Sequence, residues 1–131
     1  MAAVMLFDTD ILIWIQRGHL GAARLVDNAE HRFISIQTYM ELLQCAPSKK
    51  HLLITKQFLA DFEFKILPLT ENIGHRAAVY IEEYSHKAGL RAGDALIAAT
   101  AVENNVILAT SNAKHFSPIK PLSLELLRVA P

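Results

Sequence analysis

The sequence predicts an α/β fold in which helices cover both faces of a central, mostly parallel sheet of four or five strands. Short, continuously apolar runs, typical of strands buried on both faces, alternate along the chain with segments of helical periodicity. The connections between these runs are long enough for crossovers, which parallel neighbours require. With 131 residues, of which 52% are hydrophobic, the chain can form one core but not two. We therefore expect a single domain over residues 1–131.

The first strand is predicted at residues 3–7, where an apolar run ends directly at Asp8. Its continuous apolar character is typical of a central strand. The segment 11–15 is apolar all round, and Gly18 and Gly21 are expected to break the chain after it.

The next part of the chain predicts a helix, a strand and two further helices. Residues 22–30 have helical character, and the β-branched and aromatic run 32–36 predicts the second strand. A helix is expected over 37–46 because its apolar residues share one face, and Pro47 ends it. A serine then caps a helix over 48–61.

The third strand is predicted at 64–67, stopped by Pro68, and it precedes the clearest helix of the sequence. This helix covers 71–88, where apolar side chains recur at helical spacing, and Gly89 supplies its C-terminal stop. The nearly all-apolar segment 94–103 predicts a covered, central helix.

The last part of the chain predicts the fourth strand and a possible fifth. Residues 106–110 form another apolar, β-branched run. Residues 119–122 are a possible edge strand, since prolines such as Pro118 and Pro121 are tolerated at a sheet edge.

Charge and cysteine content exclude several classes of protein. The 13 Lys and Arg balance 13 Asp and Glu, which argues against a protein that coats nucleic acid by bulk charge. Cys45 is the only cysteine, so no internal disulfide can form, and no Cys/His group has zinc-site spacing. The N-terminal residues are not expected to form a signal peptide or a membrane span, because no basic residues precede the apolar run and this run reaches Asp8 too soon. We expect a soluble, cytoplasmic protein with no membrane partner.

Polar side chains occur where the carboxyl ends of the predicted strands should meet. Asp8 follows the first strand, Glu41 lies about one turn into the helix after the second, and Asp94 opens the buried helix. Thr110 and Asn112 follow the fourth strand. Ligands of open parallel sheets bind at this edge, so these groups predict a site there.

Each of these residues also has a purely structural interpretation. Asp94 could cap its helix, and Glu41 could lie on a solvated helix face. Asp10 could cap the segment that follows it, with Asp8 accepting a buried hydrogen bond. The polar residues after the fourth strand could form an ordinary turn. None of these interpretations predicts that all the groups gather at one sheet edge.

Several carboxylates held together would repel one another unless a cation neutralised them. Oxygen ligands without His or Cys suit a hard cation such as Mg²⁺ or Mn²⁺. Such a site activates water and stabilises charge on phosphate oxygens, so phosphodiester hydrolysis is the chemistry it favours.

Four blocks of the sequence resemble the PIN domain in order and spacing, and together they resemble VapC-type toxins of toxin–antitoxin pairs. The blocks are Phe7–Ile13 (FDTDILI), Ser35–Leu43 (SIQTYMELL), Gly93–Ala101 (GDALIAATA) and Ile107–Phe116 (ILATSNAKHF). The resemblance covers essentially the whole chain and implies a three-layer α/β/α sandwich. It also implies metal-dependent endonucleolytic cleavage of RNA and inhibition by a cognate antitoxin. A homodimer is expected as well, because the apolar share of the chain is large enough for a buried subunit interface.

The resemblance implies that Asp8, Glu41 and Asp94 hold Mg²⁺ or Mn²⁺, and that Thr110 orients a carboxylate or the attacking water. The fourth acidic position of the family falls near Asn112, an amide that brings no charge, so a second metal would bind more weakly. Asp10 stands where the family often has Asn and could partly compensate.

Basic residues near these blocks are candidate phosphate contacts. Arg91 precedes Asp94 by three residues, and Lys114 and His115 follow Asn112. The lysines of the helix 48–61 are better explained as a solvated face. Trp14 and its apolar neighbours could line a homodimer or antitoxin surface, or be buried in the core.

Two other classes of α/β protein also place acids after the first strand. Asp8-Thr9-Asp10 matches the Asp-x-Asp of haloacid-dehalogenase-like phosphatases, but Leu12 departs from that motif and the chain is short for that fold. A response-regulator receiver needs an aspartate at the end of the third strand, where this chain has Leu67-Pro68. A PIN-like binding module with an impaired site remains the non-enzymatic alternative.

Overall fold

Five parallel strands form one sheet at the centre of the computed structural model, which describes residues 3–129. The strands are β1 (Ala3–Phe7), β2 (Ala29–Ser35), β3 (Phe64–Leu67), β4 (Ile107–Thr110) and β5 (Leu124–Leu126). The helices are α1 (Thr9–Gln16), α2 (Leu20–Asn28), α3 (Ile36–Cys45), α4 (Lys49–Asp61), α5 (Glu71–Ala88), α6 (Ala92–Glu103) and α7 (Ala113–Phe116).

Two apolar cores, one on each face of the sheet, give the fold its three layers. Met5 and Phe7 of β1 pack with α1 to α4 on one face, whereas Leu6 packs with α5, α6 and α7 on the other. Because side chains alternate along a strand, a strand buried on both faces must be apolar throughout. The predicted three-layer α/β/α sandwich with a parallel sheet is confirmed.

Several predicted boundaries agree with the structure. β1, β3 and α5 have the predicted bounds, and Ser48 caps α4 as expected. Gly89 ends α5 in the left-handed conformation, with φ of 72°, and its backbone N–H bonds the last carbonyls of the helix. Glycine is favoured there because it lacks the Cβ that makes this conformation costly.

The prediction that Gly21 breaks the chain is wrong, because Gly21 lies inside α2. The His19 ring caps this helix by accepting a hydrogen bond from the backbone N–H of Ala22 at 3.1 Å. A Cβ on Gly21 would stand 2.9 Å from Cε1 of that ring. The glycine therefore makes room for the capping ring.

The predicted edge strand at 119–122 is also wrong, since β5 begins at Leu124. Ile119 is buried in the core, and Pro121 has no N–H to donate to a sheet ladder. The chain pairs with β4 only after this proline, with Leu124 opposite Leu108. The helix α7 was not predicted, because four residues are too few to show periodicity.

The strand order β3-β2-β1-β4-β5 places a topological switch point between β1 and β4. The chain winds from β1 to β2 and β3 on one side, and β4 and β5 lie on the other. Phe7 pairs with Ala109, so Asp8 and Thr110 emerge side by side at the carboxyl edge. This edge is where open α/β sheets bind ligands.

None of the helices within residues 3–129 is both long enough and apolar enough to span a membrane.

Candidate active site

Asp8 is a buried carboxylate with a hydrogen-bond donor on each oxygen. Its Oδ1 accepts from the Thr9 backbone N–H at 2.8 Å and caps α1, and its Oδ2 accepts from the Thr110 hydroxyl at 2.7 Å. Burial raises the pKa of Asp8 well above its ordinary range, and the charge of Asp10 raises it further. The hydrogen bonds from Thr110 and Thr9 only partly oppose this rise.

The raised pKa of Asp8 predicts that the metal-free protein loses stability as the pH rises. An unfolded aspartate ionises near about pH 4, whereas buried Asp8 ionises at higher pH. Between these two values the folded chain holds one more proton than the unfolded chain, so the free energy of unfolding falls as pH increases. Urea unfolding of the native chain and Asp8→Asn, in EDTA over a pH series, measures this. The native chain should lose stability relative to the variant across the window, and a constant difference would contradict the prediction.

Glu41 is half-buried, and both of its oxygens are held by neighbouring side chains. The Thr9 hydroxyl donates to Oε1 at 2.5 Å, and Gln37 Nε2 donates to Oε2 at 3.1 Å. Thr38 Oγ1 lies 3.1 Å from the Thr9 hydroxyl. Since Thr9 directly follows Asp8, this network places Glu41 at the end of β1. The solvated-face interpretation of Glu41 is therefore wrong.

Gly93 brings the start of α6 against the same carboxylate. A Cβ at Gly93 would stand 3.1 Å from Glu41 Oε2 and 3.2 Å from Gln37 Nε2. The space that a side chain would take is thus occupied by Glu41 and its donor. Because Asp94 follows Gly93, Glu41 and Asp94 belong to the same part of the structure.

Asp94, the third residue of α6, contacts the loop that follows β4. Its Oδ2 lies 3.1 Å from His115 Nδ1 and 3.4 Å from the Arg91 backbone nitrogen. Asn112 Nδ2 lies 3.0 Å from the same His115 nitrogen. The long contact to Arg91 is the helix-capping role considered above, and it coexists with the contact to His115.

The predicted phosphate contacts differ in exposure. Arg91 and Lys114 are exposed, whereas the half-buried His115 ring packs against Asp94 and Asn112. Nδ1 of His115 either donates to the Asp94 carboxylate or accepts from the Asn112 amide, depending on the tautomer of the ring.

Asp10 joins the first turn of α1 to the chain after β4. Its Oδ2 accepts hydrogen bonds from the Ser111 backbone N–H, at 3.0 Å, and from the Ser111 hydroxyl. Its Oδ1 is buried and has no hydrogen-bond partner among residues 3–129. Asp8, not Asp10, is the cap of α1, so the capping interpretation of Asp10 is wrong.

Within residues 3–129, no three His, Cys, Asp or Glu side chains are arranged as a ready-made metal cluster. Asp8, Glu41 and Asp94 are each held by separate hydroxyl, amide or imidazole groups. The residues nevertheless fit a hard divalent cation. The carboxylates at this edge are oxygen ligands, the absent side chain of Gly93 lets Glu41 approach the start of α6, and within residues 3–129 one buried carboxylate oxygen lacks a hydrogen-bond partner.

Among the residues that hold the acids, Thr110 has the orienting role that the resemblance implies, whereas Gln37, Thr9 and Ser111 are not among the predicted site residues. Gln37 could have been found, because it lies four residues before Glu41 on the same helix face. Thr9 and Ser111 carry no comparable signal, since their partners lie 32 and 101 residues away in the sequence.

Comparison with known proteins gives a consistent result. Residues 5–120 match the family model described as PIN domain. A toxin–antitoxin complex from Klebsiella pneumoniae contains a chain 30% identical to this one, with a TM-score of 0.77 over 90% of this chain and 94% of that one. Among curated proteins, none matches the sequence.

Two further solved structures share the fold. The VapBC2 structure from Rickettsia felis, bound to a promoter DNA fragment, has a chain with 23% identity and a TM-score of 0.77, covering 95% of this chain and 99% of that one. The DNA-bound VapBC structure from Salmonella typhimurium has one with 20% identity and a TM-score of 0.79, covering 94% and 97%. At these identities the similarity concerns the fold alone.

Proposed function

The chain belongs to the PIN domain family, and on that basis we propose that it is the nuclease toxin of a toxin–antitoxin pair. We propose further that it is a cytoplasmic endoribonuclease that hydrolyses phosphodiester bonds with Mg²⁺ or Mn²⁺. The observation that carries the proposal is the placement of Asp8 and the Glu41–Gly93 contact at the switch-point edge of the sheet. The similarity to a chain of the Klebsiella toxin–antitoxin complex supports the toxin assignment.

Asp8, Glu41 and Asp94 would hold the cation, consistent with the divalent metals that PIN domain nucleases generally use. When bound, such an ion makes water a better nucleophile and stabilises charge that develops on phosphate oxygens. The chain supplies the orientation of the carboxylates before any ion binds. Thr110 holds Asp8, Thr9 and Gln37 hold Glu41, and His115 contacts Asp94.

The charge distribution is compatible with an RNA substrate. If the three acids are committed to the metal, the rest of the chain carries 13 Lys and Arg against 10 Asp and Glu. The exposed side chains of Arg91 and Lys114 flank the acids in sequence and are the proposed phosphate contacts.

We propose a cognate antitoxin and a second copy of the chain as protein partners. Apolar side chains exposed on α3 and α4 support an antitoxin surface, among them Met40, Leu53 and Ile54, whose exposed fractions are 50%, 62% and 54%. Trp14, a candidate for such a surface, is only half-buried and packs against the core beside His19.

The proposal is tested by incubating the purified chain with structured RNA and with single-stranded DNA, in Mn²⁺ and in excess EDTA. RNA cleavage in Mn²⁺ alone is the expected result. Cleavage that persists in EDTA would contradict metal dependence, and cleavage of DNA alone would contradict the RNA substrate. RNA binding without cleavage would instead support the impaired binding module.

Gly93→Ala is expected to lower the rate of RNA cleavage by about tenfold. Displacing a catalytic group by about 1 Å lowers a reaction rate roughly a hundredfold, and the new Cβ would shift Glu41 by less than this distance. Stability should not fall, because Ala is favoured over Gly in a helix by up to about 1 kcal/mol. Gly74→Ala in α5 is the matched control, as its Cβ would meet nothing within 4 Å. Equal cleavage rates for the two variants would show that the absence of a side chain at position 93, beside Glu41, is not needed for activity.

Lys114→Ala is expected to raise KM for RNA while leaving kcat nearly unchanged. Loss of one phosphate contact should also reduce the slope of log KM against log salt concentration by about 0.7 to 1. Lys50→Ala, an exposed lysine on α4, is the control and should leave both quantities unchanged. An unchanged salt slope for Lys114→Ala would remove this residue from the RNA-binding surface.

A further inference from the structure

We propose that Asp10 supplies a fourth carboxylate to the metal site, replacing the acid that is missing at position 112. This inference rests on the proposed function and names a further residue of the same site. Asp10 is separated from Asp8 by one residue and lies in the first turn of α1, at the same edge of the sheet.

The carboxylate of Asp10 is held in a fixed orientation by only one of its oxygens. Two hydrogen bonds from Ser111, one from the backbone N–H and one from the hydroxyl, hold Oδ2. Rotation of the carboxylate is therefore restricted, and Oδ1 is held in a buried position. Residues that fix a ligating oxygen in this way reduce the entropy that metal binding costs.

The other oxygen of Asp10 has no partner within the described part of the chain. A buried carboxylate oxygen without a donor is unfavourable, and native structures rarely leave one unsatisfied. Both oxygens of the neighbouring Asp8 already accept hydrogen bonds, from the Thr9 backbone N–H and the Thr110 hydroxyl, so the Asp8 carboxylate offers no donor to Asp10. A divalent cation would satisfy the free oxygen and neutralise both carboxylates.

Asn112 does not provide the charge that the site would otherwise lack. Its side-chain nitrogen contacts His115, and its backbone N–H donates to Thr110 Oγ1 at 3.0 Å. Asp10, bonded to the adjacent Ser111, brings a full negative charge to the same loop. Position 10 thus supplies the charge from α1 that position 112 does not supply from the loop after β4.

Isothermal titration of the full chain with Mn²⁺ alone tests the assignment without measuring activity. Asp10→Asn keeps the shape of the side chain and should weaken Mn²⁺ affinity by at least about tenfold. Glu82→Gln, which removes an exposed acid of α5, should leave the affinity within about twofold of the native value. Ser111→Ala keeps the charge and one hydrogen bond to Asp10, so its loss should be smaller than that of Asp10→Asn.

Thermal unfolding in EDTA distinguishes a metal ligand from a residue that only connects α1 to the loop after β4. If Asp10 is a ligand, Asp10→Asn melts in EDTA at or above the native temperature, because the buried carboxylate oxygen without a donor is removed. The variant should also gain less melting temperature from added Mn²⁺. A lower melting temperature in EDTA with an unchanged gain from Mn²⁺ would overturn the inference. Asp10→Ser provides the same comparison if the asparagine variant does not fold.

A double variant that moves the negative charge from position 10 to position 112 tests whether Asp10 replaces the acid that is missing at position 112. Asp10→Asn combined with Asn112→Asp should recover Mn²⁺ affinity relative to Asp10→Asn alone, and no recovery would overturn the replacement. Native-like binding by Asp10→Asn, with binding lost in Asp8→Asn, would refute the role of Asp10 and leave the proposed function intact. If the native chain itself does not bind Mn²⁺, the proposed function fails first.

Discussion

Asp8→Asn is expected to reduce metal-dependent RNA cleavage by at least about a hundredfold, more than is typical for residues that only support a metal ligand. The substitution removes a charge from the buried end of β1, where burial and Asp10 already disfavour ionisation. The amide keeps an oxygen that can cap α1, while its NH₂ group takes the place of Oδ2 and cannot accept from Thr110. Removal of a buried charge beside Asp10 is expected to offset the loss of this hydrogen bond. In EDTA at neutral pH the variant should therefore be at least as stable as the native chain.

The opposite effects on cleavage and stability make this variant informative. Asp27→Asn, an exposed aspartate at the end of α2, is the matched control and should leave both quantities unchanged. Full activity of Asp8→Asn would contradict a metal-holding role for Asp8. Lost activity together with a large loss of stability in EDTA would indicate that the carboxylate is instead a structural cap.

Thr110→Val is expected to destabilise the protein by about 1–3 kcal/mol, the usual cost of leaving a buried polar group without its partner. The Thr110 hydroxyl is fully buried, donates to Asp8, and accepts from the Asn112 backbone N–H. Valine has nearly the same shape, so the loss reflects the hydrogen bonds rather than a cavity. Cleavage should also fall, because Asp8 loses one of the two donors that orient it.

Urea unfolding in EDTA measures the stability change of Thr110→Val. Thr100→Val is the matched control, since Thr100 is also buried but its hydroxyl donates only to the Leu96 carbonyl of its own helix. That carbonyl already has a helical partner, so the control should lose less than about 1 kcal/mol. Equal losses in both variants would show that the bond to Asp8 has no special energetic role.

Much of the fold could be predicted because its signals are local. Continuous apolar strands, a helix capped by Ser48, and a left-handed Gly89 depend on residues within a few positions of one another. Predictions are wrong where side-chain packing overrides the preference of a single residue. Gly21 by itself predicts a break in the chain, but the capping ring of His19 and the burial of Ala22 and Val26 favour a helix there.

The sequence alone determined the parallel sheet and the edge at which Asp8, Glu41 and Asp94 lie. This follows because strands of one direction end at one edge, and the polar residues come directly after the strands or open the adjoining helices. The four motif blocks also carried the resemblance to the family to which the chain belongs.

Only the tertiary structure decided which group holds which acid. The Asp8–Thr110 and Asp10–Ser111 bonds join residues 102 and 101 positions apart, and the Thr9–Glu41 bond spans 32. Such bonds form when packing of helices on the sheet brings side chains within about 3 Å, a condition that no local pattern encodes. The same packing leaves one oxygen of Asp10 buried without a donor from the described part of the chain, which the residue type alone does not reveal.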